Sequence, residues 1–146
     1  MAESLIGNLK EMEKRLGPET VDLRNYSPLT LAYLGDAVYE LVVRTMLVKR
    51  ANCPVNRLNH LASRMVKASA QSNFAGIIEP DLSEEEMSVY RRGRNAHSPT
   101  MAKNATMADY RRATGVEALV GYLYLQGKME RILELMEKGL QENSES

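Results

Sequence analysis

The stretch from Pro28 to about Arg50 constrains this chain most, because its residue pattern suits a long helix. Ser27 is a good N-cap, Pro28 fits the first helical position, and apolar residues recur at helical spacing. One carboxylate, Asp36, is set into this apolar stretch. An ionised group that leaves water must be paired or must bind a metal. Asp36 is therefore either a residue at the solvated edge of an amphipathic helix or a functional group, and the helix alone favours neither.

The rest of the chain carries helical patterns as well, and no stretch alternates as a strand would. An amphipathic helix with Leu5 and Leu16 on its apolar face ends at Gly17, and another begins at Pro54. Ser83 and Thr106 each start a capping-box pattern at a helix N-terminus. The sequence predicts an all-α fold of about six or seven helices.

The size and composition of the chain limit its domain organisation and location. Its 146 residues suit one domain, and we expect that domain to cover residues 1–146, with its core at about 27–140. Cys53 is the single cysteine, which excludes a disulfide framework and a thiolate zinc cluster. The sequence shows neither a secretory signal nor an apolar run that could span a membrane, so we expect a cytoplasmic protein with no membrane partner.

The charges are unevenly distributed, although the formal net charge is zero. Residues 41–112 hold twelve Lys and Arg against six Asp and Glu, whereas the rest of the chain holds seven against thirteen. A basic middle is typical of a local site for a polyanion, and the alternative is a solvated surface or linker. The candidate RNA-binding residues of this segment are Arg91, Arg92, Arg94, Asn95, Lys103, Arg111 and Arg112.

A second carboxylate, Glu117, lies among small residues in the helix predicted to begin at Met107. If that helix packs beside the first one, Asp36 and Glu117 could share a hard cation. Mg²⁺ binds to one or two carboxylates and keeps several waters. A basic segment nearby would hold a phosphate polyanion against such a metal, which favours metal-assisted phosphodiester hydrolysis.

Two motifs of the chain resemble those of the ribonuclease III family. Leu34–Val38 is similar to the core of that family's signature helix, and Val116–Gly121 is similar to its second acidic motif. The order and separation of the motifs match, and the resemblance covers about residues 29–127. The segment from Arg91 to Ala96 and the pair Tyr110–Arg111 resemble the family's compact Mini-III branch.

This resemblance implies an antiparallel helical endonuclease domain that dimerises and lines one RNA-binding valley with two sites. It implies that Asp36 and Glu117 bind Mg²⁺ and are catalytic, with Tyr33 and Gly35 at the dimer interface. The expected reaction is hydrolysis of double-stranded RNA to 5′-phosphate and 3′-hydroxyl ends. The expected substrate is precursor 23S ribosomal RNA, with a ribosomal assembly particle as a further partner. We expect no double-stranded-RNA-binding domain, since the last predicted helix ends near Leu140.

The chain departs from the larger enzymes of the family at two positions. Those enzymes carry Glu where this chain has Ala32, and usually an acid where it has Thr114. These departures keep open a catalytically silent RNA-binding assembly factor, and a helical interaction module is a third alternative. Asp36 and Glu117 argue against silent RNA binding, since negative charge facing phosphate weakens it. The basic middle argues against a module without nucleic acid.

Overall fold

The computed structural model describes residues 9–17, 21–96 and 106–145. These ranges contain seven α-helices and two short 3₁₀ turns, and no strand, which confirms the all-α prediction. The helices are α1 (Leu9–Leu16), α2 (Pro28–Arg50), α3 (Val55–Val66), α4 (Ala68–Ile78), α5 (Glu84–Arg94), α6 (Met107–Leu125) and α7 (Met129–Glu145), and the turns are Leu23–Asn25 and Glu79–Asp81.

Three helix N-termini, those of α2, α5 and α6, carry the side-chain caps that the sequence predicts. Ser27 Oγ accepts a hydrogen bond from the Thr30 N–H at 3.1 Å, and Thr106 Oγ1 accepts one from the Asp109 N–H at 3.0 Å. Ser83 forms a complete capping box with Glu86. The break between α3 and α4 lies at Lys67, whose backbone is extended at that point. None of the helices in the described ranges has the length and apolar content needed to cross a bilayer.

Helix α6 occupies the middle of the fold, where it packs against α2, α4, α5 and α7. Its residues Val116, Ala118 and Leu119 are fully buried. The core on its α2 and α4 sides includes an edge-on contact between the rings of Tyr39 and Phe74, whose centroids lie 5.4 Å apart. Burial on several sides explains why the apolar residues of α6 do not form a single stripe.

Glycines bring α2 and α6 into direct backbone contact. A Cβ atom added to Gly35 would lie 1.7 Å from the Glu117 carbonyl oxygen, and one added to Gly121 would lie 2.0 Å from the Leu31 carbonyl oxygen. Leu31 therefore faces Gly121 while Gly35 faces Glu117, and the two helices run antiparallel where they touch. The predicted side-by-side packing of the two acidic helices is confirmed.

A second glycine contact joins α5 to α6. A Cβ atom on Gly93 would lie 2.7 Å from the Ala118 Cβ and 3.0 Å from the Gly115 Cα. Gly115 in turn has no room for a side chain, because a Cβ atom there would meet the Tyr90 ring at 2.8 Å. This crossing holds the basic C-terminal turn of α5 against the helix that carries Glu117.

Candidate metal centre

The structure brings the two sequence-predicted carboxylates together. Asp36 on α2 is exposed and Glu117 on α6 is half-buried, and the two carboxyl groups lie close enough for Asp36 to raise the pKa of Glu117. The contact follows from the helix crossing, because Gly35 lies directly before Asp36 and touches the backbone of Glu117. Two residues that are 81 positions apart in the chain thus form one diacid.

Burial is the main cause that raises the pKa of Glu117 to about 9, and the interaction with the Asp36 carboxyl contributes in the same direction. The ionised form of Glu117 is therefore disfavoured unless positive charge is nearby. A divalent cation would supply that charge to both carboxyl groups. The donor set fits Mg²⁺, which takes one or two carboxylates and keeps several waters.

The diacid has no third carboxylate among the described residues. Ala32 and Thr114 are both buried, and the Thr114 hydroxyl donates to the Tyr110 carbonyl oxygen at 3.0 Å. Glu40, one turn beyond Asp36, forms an ion pair with Arg44. Within the described ranges, no three His, Cys, Asp or Glu side chains cluster as metal ligands would.

Sequence reasoning missed a buried amide beside the diacid. The Gln71 side chain on α4 is only 2% exposed and lies within hydrogen-bonding reach of the Glu117 carboxyl, whose pKa it lowers against the larger raising effects. Its Nε2 atom is buried and lacks a partner of full hydrogen-bond geometry among the described residues. The available signal was a Gln in an otherwise apolar and small-residue helix, between Ala70 and Phe74.

A tyrosine hydroxyl lies on the same buried side of the diacid. Tyr39 is completely buried, and its pKa is raised by burial and also by the nearby charge of Glu117. Its hydroxyl oxygen has no hydrogen-bond partner among the described residues. Gln71 and Tyr39 are thus two buried potential donors near Glu117, whereas Asp36 is exposed.

The predicted RNA-binding residues divide between two helices. Arg91 and Arg92 are exposed on α5, Asn95 is the exposed C-cap of α5, and Arg111 and Arg112 are exposed on α6. Lys103 lies outside the described residues, as do the other positions of 97–105.

Arg94 connects these two groups of cations. Its guanidinium lies over the Tyr90 ring, 5.7 Å from the centroid. Burial and the nearby Glu79 carboxylate raise the pKa of Tyr90 to about 12, while the charges of Arg94 and Arg112 oppose this increase. Both arginines therefore lie near the same hydroxyl group, and the structure places the basic ends of α5 and α6 side by side.

The two residues predicted at a dimer interface occupy different environments. Tyr33 is 83% exposed, and Leu41 and Val48 are exposed on the same face of α2 at helical spacing. Gly35 is buried in the crossing with α6, which accounts for the glycine without a second copy of the chain. A contribution of Gly35 to an interface between copies stays a prediction, as does that of Tyr33.

Comparisons with known proteins show which family the chain resembles. The model of the ribonuclease III domain matches residues 29–128. The chain is 50% identical over 116 residues to a Mini-ribonuclease 3 of Clostridium tetani, a match covering 79% of this chain and 77% of that protein. It is 44% identical over 141 residues to a Mini-ribonuclease 3 of a Thermoanaerobacter species, covering 97% of each. A crystal structure of a Fusobacterium nucleatum protein superposes with a TM-score of 0.75 at 34% identity, covering 81% of this chain and 96% of that one.

Proposed function

The chain belongs to the ribonuclease III family of endoribonucleases, and from that premise we propose that it is a Mg²⁺-dependent Mini-III enzyme that hydrolyses double-stranded RNA. The products carry 5′-phosphate and 3′-hydroxyl ends. One observation carries the proposal: Asp36 and Glu117, from two different helices, meet as a diacid at the protein surface. Two ionised carboxylates this close repel each other, and a bound cation removes that repulsion.

Both acids have the same role in this mechanism. The exposed Asp36 and the half-buried Glu117 would together hold the ion. Mg²⁺, when bound, supplies positive charge that polarises the scissile phosphate and favours attack by water. Since Ala32 and Thr114 offer no carboxylate, Asp36 and Glu117 are the protein ligands of the ion.

The arginines of α5 and α6 serve as phosphate contacts. Arg91, Arg92, Arg111 and Arg112 are exposed, and the Gly93 crossing fixes their helices relative to Glu117. Such contacts position an RNA duplex without reading its sequence, since A-form RNA is recognised mainly by shape and 2′-hydroxyl groups. Replacing Arg94 by Ala should flatten the salt dependence of binding by about one unit on a log–log scale if one phosphate contact is lost. An unchanged salt slope in a combined Arg91, Arg92 and Arg94 variant would show that this end of α5 makes no phosphate contact.

We also propose that the enzyme acts as a homodimer. The exposed apolar face of α2, with Tyr33, Leu41 and Val48, suits contact with a second copy. Asp36 lies on the flank of that face, so two sites would lie near each other across the interface. The proposed substrate is precursor 23S ribosomal RNA, within or beside a ribosomal assembly particle, and such a substrate implies a cytoplasmic enzyme.

A catalytically silent RNA-binding assembly factor is the second candidate. The absence of carboxylates at Ala32 and Thr114 favours it, since the larger enzymes of the family carry acids at these positions. The two candidates differ in one measurement, the cleavage of a labelled RNA duplex with and without Mg²⁺.

Asp36→Asn and Glu117→Gln test the enzyme directly. Each change removes a ligand charge and keeps the side-chain shape, so we expect cleavage to be lost while duplex binding persists. Glu137→Gln, an exposed acid on α7, is the matched control and should cleave normally. Wild-type protein that binds the duplex but leaves it intact at saturating Mg²⁺ would favour the silent factor, and active Asp36→Asn protein would remove Asp36 from the site.

A further inference from the structure

Gln71 is a polar side chain whose position no packing argument explains. It lies on α4, where its neighbours Ala70, Phe74 and Ala75 are buried apolar residues. A buried amide is stabilising only if its hydrogen-bonding groups are satisfied, since an unmade hydrogen bond costs about 1–3 kcal/mol. The Nε2 atom of Gln71 has no hydrogen-bond partner among the described residues. An apolar residue of similar volume would therefore serve the core better.

The polar group that this amide can reach is the Glu117 carboxyl, since α4 packs against α6 and Gln71 lies close enough to lower the pKa of Glu117. A carboxylate that binds a cation is ionised and is therefore a strong hydrogen-bond acceptor. The amide N–H can then donate to one carboxylate oxygen and leave the other oxygen for the ion.

We propose that Gln71 is a positioning residue, which holds the ionised Glu117 carboxylate in the orientation that binds the metal. This inference rests on the proposed function, because it assigns an outer-shell partner to the proposed metal ligand. Ligating carboxylates are generally hydrogen-bonded by such partners, and loss of a partner typically weakens metal binding by 10–100-fold. The buried Tyr39 hydroxyl, which also lacks a partner among the described residues, is a second donor on this side of Glu117.

The burial of Gln71 separates this role from substrate binding. Only 2% of the residue is exposed, so it does not contact an RNA duplex on the surface. Its loss should therefore lower metal affinity and kcat while KM for RNA at saturating metal stays near that of the wild type. If Gln71 only stabilised the fold, its loss would change the free energy of unfolding but would not lower metal affinity and kcat while leaving KM for RNA unchanged.

The test measures Mn²⁺ binding to the full chain without RNA, by electron paramagnetic resonance of the free ion. Gln71→Met keeps the length and burial of the side chain and removes both amide groups. Ser72→Ala, a similarly buried polar residue next to it on α4, is the matched control. We expect Gln71→Met to bind Mn²⁺ at least tenfold more weakly than wild type, with an unfolding midpoint equal to or above the wild-type value. Ser72→Ala should bind Mn²⁺ normally.

A second variant keeps the proposal testable if Gln71→Met does not fold. Gln71→Asn retains the amide but is one methylene shorter, so it should also weaken Mn²⁺ binding. Equal Mn²⁺ affinity in wild type and a folded Gln71 variant would overturn the positioning role. Asp36→Asn distinguishes failure of the positioning role from failure of the proposed function. If wild type and Asp36→Asn bind Mn²⁺ equally, Asp36 does not bind the ion and the proposed metal site is wrong.

Discussion

The two halves of α2 are packed in opposite ways. The first half contacts α6 backbone to backbone through Gly35 and Gly121. The second half faces α3 and α7 across an open groove of about 630 Å³. The apolar side chains along this groove are Val42, Met46, Met65, Leu133, Met136 and Leu140. The half that carries Asp36 is thus fixed by backbone atoms, whereas the other half is bordered by side chains, several of them flexible methionines.

This difference shows how the chain positions its diacid. Side-chain packing can relax by changing rotamers, but backbone contact leaves no such freedom. Because Gly35 immediately precedes Asp36 and touches Glu117, the spacing of the two acids is set by the closest helix contact in the fold. The groove half of α2 needs no comparable accuracy, since neither acid of the diacid lies there.

Gly35→Ala should have the largest effect and break the rigid half. The added Cβ would lie 1.7 Å from the Glu117 carbonyl oxygen, so α2 and α6 must separate. We expect a loss of about 3 kcal/mol in the free energy of unfolding, measured by urea denaturation, together with loss of cleavage. A wild-type unfolding midpoint in this variant would contradict the description of the crossing.

Glu86→Gln should have the next largest effect. It tests the ion pair that joins α5 to α7, and α7 is one of the helices that border the groove. Arg131 on α7 donates to both carboxylate oxygens of Glu86, at 2.9 and 2.8 Å, which is the main cause lowering the pKa of Glu86. A carboxyl whose pKa is lowered by folding stabilises the protein above its unfolded pKa of about 4.3 and loses that contribution as the pH falls through the folded value.

We therefore expect the free energy of unfolding of Glu86→Gln to be about 2 kcal/mol lower than that of the wild type at neutral pH. This difference should shrink in acid, because acid destabilises the wild type more than the variant. Urea denaturation at pH 7 and pH 3 measures both. Glu84→Gln, an exposed acid in the first turn of the same helix, is the control and should follow the wild type. Equal pH dependence in wild type and Glu86→Gln would show that the ion pair contributes nothing to folding.

Gly76→Ala should have a smaller effect of opposite sign to that of Gly35→Ala. An added Cβ on Gly76 meets no atom within 4 Å, and the residue lies exposed within α4. Alanine is favoured over glycine in a helix interior by about 0.5–1 kcal/mol, so we expect the thermal unfolding midpoint to rise. A destabilised Gly76→Ala protein would mean that glycine is required in these helices for a reason other than close contact.

Met46→Leu in the groove should have the smallest effect. Leucine and methionine have similar volumes, and such exchanges in cores usually cost less than about 1.5 kcal/mol, with less expected beside an open groove. The change in thermal unfolding midpoint should be close to the error of the measurement, and cleavage should not change. A large loss of stability would place Met46 in packing as tight as that at Gly35.

The sequence predicted those features that local chemistry determines. The caps at Ser27 and Thr106 depend on side chains three residues from the backbone groups that they bind, and both were predicted. The pairing of Asp36 and Glu117 was predictable because each acid interrupts an apolar helix beside small residues. The position of the break between α3 and α4, at Lys67, was not predicted, because no strong stop signal such as Gly or Pro is present there.

The features that the sequence did not predict depend on contacts between distant segments. Gln71 is beside the diacid only because α4 packs on α6, and nothing in the local pattern of α4 indicates its partner. Gly35 was expected at an interface between two copies, and the sequence did not indicate that α6 of the same chain packs against it. The convergence of Arg94 and Arg112 likewise depends on the Gly93 crossing.

The crossing at Gly35 and Gly121 has a consequence for the order of events during protein synthesis. Asp36 leaves the ribosome long before Glu117, and the contact that pairs them needs Gly121, later still in the chain. A nascent chain that ends before α6 contains the signature helix but has neither the diacid nor the partner that buries Gly35. The proposed nuclease site therefore cannot assemble on a nascent chain until most of the domain has been made.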